Sequence, residues 1–183
     1  ARLNGSGYRV YTLIGDGESE EGEVWEALMF AARYNLDNLC VVIDYNGLQI
    51  DGPIDRILAP APYEKKLEGF GAHVVTMDAH DFDSIRRAFD EAKTVLGKAI
   101  VIIAHSVKGK GVSFMENQVG WHGKAPNAEQ RAVFVAAGDG GDFVEVGVRI
   151  RPEHGDEAFA VVCRAFDADD GKGGLDDFLN VEG

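Results

Sequence analysis

Cysteine is almost missing from this chain, with two residues, Cys40 and Cys163, in 183. Two thiols give no disulfide framework and no paired metal-ligand spacing. Cys40 lies inside an apolar run and reads as a small core residue. Sparse cysteine fits a reducing cytoplasm, so a cytoplasmic location is expected. Basic residues are also in short supply: 18 Lys and Arg face 31 Asp and Glu, for a net charge of −13 at pH 7. Holding a nucleic-acid backbone takes clustered Lys and Arg, so nucleic acid is excluded as the main partner. No apolar run reaches the ~18 residues of a membrane span, and no signal-peptide pattern is visible, so no membrane association is expected. There is no initial Met either. Ala1-Arg2-Leu3-Asn4-Gly5 reads as the end of a helix with a glycine stop, and the expectation is a chain that begins upstream.

What is present is an ordinary globular share of apolar residues, 45%, in a regular alternation. Tyr8 to Ile14 is rich in β-formers and predicts a strand ending at Gly15. Ser19 to Asn35 predicts a helix, with Glu20, Glu21 and Glu23 in its first turns and Val24, Leu28 and Ala31 at helical spacing. Leu39 to Ile43 is uniformly apolar, as a strand buried on both faces would be. Asn46 to Ile57 reads as a loop with two turn dipeptides. A short helix over 62–70, a strand over 72–77, a helix over 84–96 and an apolar strand over 99–104 follow. Strands alternating with helices imply an α/β fold: a parallel sheet with right-handed crossovers.

Two strand ends carry the chemistry. The first delivers Gly15-Asp16-Gly17-Glu18 and the second Asp44-Tyr45-Asn46-Gly47-Leu48. Carboxyl ends of parallel strands are where α/β sheets bind ligands. One carboxylate and one amide oxygen from neighbouring strand ends suit a hard cation, Mg²⁺ or Ca²⁺, which completes its shell with water and phosphate oxygens. The glycines beside Asp16 allow a tight turn and a close backbone approach. These residues point to a metal-assisted diphosphate site. Asp16 as a plain helix cap and Asn46-Gly47 as a plain turn are the competing readings.

From His105 to Pro126 the chain is a loop rich in glycine and charge, projecting to the same sheet edge. Its lysines suit an anion, and its histidines can move a proton near neutral pH. His105 is a weaker candidate there; His73 and His80 read as structural or exposed, and Trp25 as packing. Beyond Gln130 the alternation fades. Val144, Val146, Val148 and Ile150 alternate like a strand, but 138–142 and 167–174 are acidic and Gly-rich. The second Gly-Asp-Gly, at 138–140, has no buried strand leading into it and reads as chance. The organisation expected is a diphosphate-binding α/β domain over 1–130, incomplete at its N-terminus, then an acidic Gly-rich tail over 131–183.

Gly15-Asp16-Gly17-Glu18, Glu21-Gly22, Trp25-Glu26-Ala27, Asn38-Leu39, Asp44-Tyr45-Asn46-Gly47-Leu48, Lys108-Gly109-Lys110-Gly111 and Trp121-His122-Gly123 together resemble the N-terminal, thiamine-diphosphate-binding half of transketolase. The resemblance runs from Ala1 to Gln130 and is closest to the split form, in which this half is a separate polypeptide. It implies a three-layer helix/parallel sheet/helix fold of the thiamine-diphosphate-binding type. It implies thiamine diphosphate and Mg²⁺ (or Ca²⁺) as cofactors. Asp16 and Asn46 would ligate the metal by side-chain oxygens and Leu48 by its backbone carbonyl. Gly15 and Gly17 would lie against the cofactor, with Gly17 giving its backbone to the diphosphate. Lys108 and His122 would meet the phosphates. His122 would also be catalytic, touching the donor ketose or assisting its proton transfers. Glu21 matches a family acid near the subunit interface.

The implied activity, a step of the pentose phosphate pathway, moves a two-carbon ketol unit from a ketose phosphate to an aldose phosphate. The implied partners are sugar phosphates and a C-terminal transketolase subunit or domain with the pyrimidine-binding fold, in a homodimer or heterotetramer. The glutamate that activates the aminopyrimidine belongs to that second domain. The histidines that the family places ahead of Gly-Asp-Gly are not in this sequence. Deoxyxylulose-phosphate synthase and the E1 component of 2-oxo-acid dehydrogenases share the Gly-Asp-Gly…Asn core; the Ile50-Asp51-Gly52 turn and Trp-His-Gly favour transketolase. A catalytically inactive binding fragment is the alternative from another class. A generic mononucleotide-binding domain lacks its Gly-rich fingerprint here.

Overall fold

The computed structural model describes residues 1–58 and 60–130, and the backbone of two further strands. The chain divides into two units, Ala1–Lys124 and Ala125–Gly183. The first is built on four parallel strands: β1 (Val10–Gly15), β2 (Leu39–Tyr45), β5 (His73–Asp78) and β6 (Ile100–His105). Their order is β1-β2-β6-β5, so β2 and β6 are central. Helix α1 (Gly22–Arg33) joins β1 to β2, and α3 (Phe82–Thr94) joins β5 to β6. Between β2 and β5 come a small antiparallel ribbon, β3 (Leu48–Gln49) with β4 (Gly52–Pro53), and helix α2 (Tyr63–Gly69).

Side chains alternate across a strand, so each central strand feeds two cores. Cys40, Val42, Ile100 and Ile102 pack with Ala88 and Ala92 of α3. Val41, Ile43, Val101 and Ile103 pack with Leu28 of α1 and Tyr63 and Leu67 of α2. This is the three-layer α/β fold expected, with α1 and α2 on one face and α3 on the other. Continuous apolar runs in β2 and β6 are what burial on both faces demands. β1 lies at an edge, and its Val10 and Leu13 are each 37% exposed. Arg9 ties that edge to α3 by donating to the carbonyls of Ala92 and Lys93 at the helix end.

Element bounds move by one to three residues, with β1 starting at Val10 and not at Tyr8, and in three cases the cause is visible. The helix expected from Ser19 opens instead as a 3-10 turn over Glu18–Glu20, and α1 starts at Gly22. Ser19 is pinned by its side chain to Asp16, and Glu21 is extended, which interrupts the helical path. The helix expected from Ser84 starts at Phe82, because the Asp81 carboxylate caps it by accepting the Asp83 N–H at 3.0 Å. The loop expected over 46–57 contains the β3–β4 ribbon and a 3-10 turn over Ile54–Arg56 that buries Ile54.

In the second unit, β7 (Phe143–Glu153) and β8 (Asp156–Phe166) form an antiparallel hairpin in register from Phe143↔Phe166 to Glu153↔Asp156. The strand read from Val144, Val146, Val148 and Ile150 lies in β7. The Gly-Asp-Gly at 138–140 and the acidic stretch at 167–174 lie outside the described residues. Among the described residues, no helix is long and apolar enough to cross a membrane.

Ile102 is fully buried at the centre of β6, facing α3. Ile102→Ala is expected to cost about 2–5 kcal/mol of unfolding free energy, measured by urea denaturation.

Candidate functional site

The pairing of β1 with β2 sets Gly15 beside Asp44, so the next residues of both strands leave the sheet together. Asp16 turns back towards the second tip. Its Oδ1 accepts the Gly17 N–H at 2.8 Å and its Oδ2 accepts the Gly47 N–H at 2.5 Å. Its own N–H goes to the Asp44 carbonyl at 3.1 Å. The Asp16 carbonyl accepts Ser19 Oγ at 2.5 Å, and Tyr63 Oη lies 2.5 Å from that hydroxyl and 3.2 Å from the carbonyl. The residue is held from three sides. It does not cap α1, whose N-cap is Glu21 with no side-chain bond.

Asp16 is 2% exposed and has no ion-pair partner among the described residues. Burial is the main cause that pushes its carboxyl pKa up; the Gly47 and Gly17 N–H groups oppose the rise, and the nearby Asp44 charge adds to it. A buried carboxylate with backbone donors but no positive partner is a half-finished electrostatic site. Tyr63, packed below it, is pushed by burial up to about 12 and stays a neutral phenol.

Asn46 stands at the second tip, next to Gly47. Its Nδ2 donates to Asp44 Oδ2 at 3.2 Å, and its Oδ1 accepts the Leu48 N–H at 3.0 Å. The Leu48 carbonyl sits in the β3–β4 ribbon opposite Pro53, which has no N–H to give it. Asp16, Asn46 and the Leu48 carbonyl offer only hard oxygen donors and a single formal charge. That chemistry fits Mg²⁺ or Ca²⁺ with its remaining positions filled by phosphate oxygens and water. Among the described residues no cluster of three His, Cys, Asp or Glu side chains would hold a metal without such help.

Gly17 is closely approached by a side chain. A Cβ there would lie 2.8 Å from Gln49 Oε1 and 3.0 Å from Gln49 Cβ. Gln49 is in turn held by Glu20 at 3.3 Å. The Gly17 N–H is already engaged by Asp16, so a diphosphate using that N–H would compete with it. The Gly15 N–H donates to Glu18 Oε2 at 2.6 Å.

The loop after β6 supplies the remaining predicted residues. Lys108 Nζ donates to His122 Nδ1 at 3.3 Å, so the two meet each other. The loop closes on itself: the Asn117 N–H bonds the Lys108 carbonyl at 2.9 Å, and Trp121 Nε1 bonds the Phe114 carbonyl at 2.7 Å. Gly109 makes that closure feasible, with φ of +69° and backbone atoms of Met115 2.8 Å from where a Cβ would stand. Among the described residues no hydrogen bond joins Lys108 or His122 to Asp16 or Asn46. The link between the two groups is Asp44, whose Oδ1 accepts the Ser106 hydroxyl.

Other candidates have structural partners. His80 Nε2 accepts the Val107 N–H at 2.8 Å, and His73 pairs with Glu91 at 2.9 Å. Trp25 packs on Phe70 with ring centres 5.2 Å apart. His105 lies 5.3 Å from the Tyr45 ring and lines a cleft of about 530 Å³ between the β5 and β6 tips, with Asp78, His80, Ser106 and Lys110. That cleft is not lined by Asp16, Asn46, Leu48, Lys108 or His122. Sequence reasoning missed Ser106, Gln49 and the part played by Asp44. The spacing of Asp44 and Asn46, two apart on a strand end, was the available signal.

Comparisons with known proteins show the family and the fold. The family described as "Transketolase, thiamine diphosphate binding domain" matches residues 4–136. A 6-deoxy-6-sulfo-D-fructose transketolase subunit of Clostridium sp. (strain MSTE9) is 46% identical over 113 residues, 62% of this chain and 41% of that protein. An apulose-4-phosphate transketolase subunit of Phocaeicola vulgatus is 38% identical over 130 residues, 71% of this chain and 46% of that protein. The crystal structure of transketolase from Campylobacter jejuni superposes with a TM-score of 0.66 at 29% identity, covering 72% of this chain and 21% of that one. The chain spans less than half the length of each of these relatives.

Gly17→Ala is expected to force Gln49 aside and cost about 1–3 kcal/mol through overpacking. The added Gln49→Ala should recover most of the loss in a thermal melt; no recovery would place the strain elsewhere. Asp16 should titrate above the ordinary aspartate value of 3.8. With a raised folded-state value, its contribution to stability is present below 3.8 and is lost as pH rises through the folded value. Carboxyl-carbon NMR of Asp16 across pH 3–7 checks the direction (~1 unit is the usual scatter for folded carboxyls).

Proposed function

This chain belongs to the transketolase thiamine-diphosphate-binding domain family, and from that membership we propose that it is the diphosphate-holding part of a ketol-transferring enzyme. The reaction proposed moves a two-carbon ketol unit from a ketose phosphate to an aldose phosphate. The observation that carries the reading is Asp16: a carboxylate 2% exposed, bonded across two strand tips, with no cationic partner among the described residues. A divalent cation there would offset its charge and that of a diphosphate together.

Asp16, Asn46 and the Leu48 carbonyl are the residues proposed to hold Mg²⁺ (or Ca²⁺). Gly15 and Gly17 line the approach. Lys108 and His122, in contact with each other, are proposed to meet the cofactor phosphates, where an ammonium and an N–H both favour negative charge. His122 Nδ1 accepts from Lys108, which leaves Nε2 to carry the proton and donate it. That assignment suits His122 for hydrogen bonding to a donor ketose and for holding a proton during transfer. Thiamine diphosphate, when bound, supplies the carbanion chemistry that breaks and remakes the carbon–carbon bond.

The partner proposed is a C-terminal subunit or domain with the pyrimidine-binding fold, which would bring the activating glutamate. The relatives from Clostridium and Phocaeicola support a split arrangement, since each is named as one subunit of a transketolase. A homodimer or a heterotetramer, in a cytoplasmic setting, completes the reading.

The test is calorimetric titration of the chain with thiamine diphosphate, with and without Mg²⁺. Binding that needs Mg²⁺ and is lost in Asp16→Ala is the expected result. Binding that is equal without Mg²⁺, or untouched by Asp16→Ala, overturns the assignment.

A further inference from the structure

Asp44 stands between the two halves of the site. At the end of β2 it is paired with Gly15 of β1 on one side and Ala104 of β6 on the other. Its Oδ2 accepts Asn46 Nδ2 at 3.2 Å, and its Oδ1 accepts the Ser106 hydroxyl. Its backbone carbonyl accepts the Asp16 N–H at 3.1 Å. Ser106 is fixed again by its own N–H, which bonds the Tyr45 carbonyl at 3.1 Å.

An asparagine amide has two ends of nearly equal shape and opposite hydrogen-bonding sense. Both Asp44 carboxylate oxygens act as acceptors, so the end of the amide turned towards it is the NH₂. The amide oxygen is thereby turned away, towards the Leu48 N–H at 3.0 Å. A flipped amide would set two acceptors against each other at Asp44 and two donors against each other at Leu48. Cations take the oxygen end and are repelled by the NH₂ end.

We propose that Asp44 is a positioning residue, whose carboxylate selects the orientation of Asn46 that offers oxygen to a cation and, through Ser106, ties it to the loop carrying Lys108. The inference rests on the proposed function above and deepens it. Asp44 acts through Asn46 and does not itself ligate. Asp44→Asn keeps the volume but can present either a donor or an acceptor, so it no longer dictates the sense of its neighbour.

The experiment uses the full chain with Mn²⁺ as the probe, at saturating thiamine diphosphate, with free Mn²⁺ read by electron paramagnetic resonance. Asp44→Asn is expected to weaken Mn²⁺ binding about 10–100-fold, the usual effect of removing an outer hydrogen-bond partner of a ligand. Asn46→Ala should weaken it as well, and the double variant should bind no more weakly than Asn46→Ala alone. Additive losses in the double variant, or unchanged binding in Asp44→Asn, overturn the positioning role while leaving the metal site in place. Absence of Mn²⁺ binding in the unaltered chain overturns the proposed function instead. A second readout needs no metal: the Asn46 side-chain NH₂ signals in ¹⁵N NMR should shift and lose exchange protection in Asp44→Asn but not in Ser106→Ala. Signals indifferent to Asp44→Asn, or lost in Ser106→Ala, overturn the proposal whatever the metal does.

Discussion

A single carboxylate bonds across the gap between two parallel strand tips, and the site is arranged around it. Asp16 leaves β1, and its Oδ2 takes the Gly47 N–H beyond β2 at 2.5 Å. Backbone donors engage each of its oxygens once, yet burial still penalises its charge. The residue is therefore oriented before any ligand arrives. Its carbonyl is held by Ser19 and Tyr63 and its N–H by Asp44, so the side chain has little freedom to seek solvent. Preorganisation of this kind lowers the cost of ordering a ligand when it binds.

The sheet makes that arrangement possible. β2 and β6 are buried on both faces and present their carboxyl ends at one level, with Tyr45 in register with His105. Loops leaving those ends start from fixed points. The β6 loop then closes on itself through Asn117 and Trp121, bringing Lys108 to His122 across fourteen residues. Close packing at Gly109 sets the turn of that loop, because a side chain there would strike the Met115 backbone, while at Gly17 a side chain would displace Gln49.

The elements were legible where periodicity was strong. Leu39 to Ile43 and Ala99 to Ala104 are apolar throughout, and both are central strands. Boundaries were legible only where no side chain intervened. Ser19 reads as helix by pattern, but its hydroxyl reaches Asp16 and Tyr63 and breaks the path at Glu21. Phe82 gains its helical start from the Asp81 cap, which propensity alone ranks below the apolar stripe that follows. Of the site, the pairing of Asp16 with the Asn46 tip followed from spacing. Gln49 over Gly17, and Ser106 on Asp44, did not, because which side chain of each loop meets the other strand end is set by loop conformation and not by spacing.

The layered α/β plan and the two strand ends with their oxygen-bearing side chains could be read from the chain alone. Hydrophobic periodicity and turn residues are local signals, and those features need nothing more. Tertiary structure decided which donors face which acceptors: that Asp16 bonds Gly47 rather than a helix end, that Asn46 turns its nitrogen to Asp44, and that Lys108 meets His122. Hydrogen-bonding sense depends on neighbours brought together by strand register and loop closure, and that information exists only once the sheet has formed.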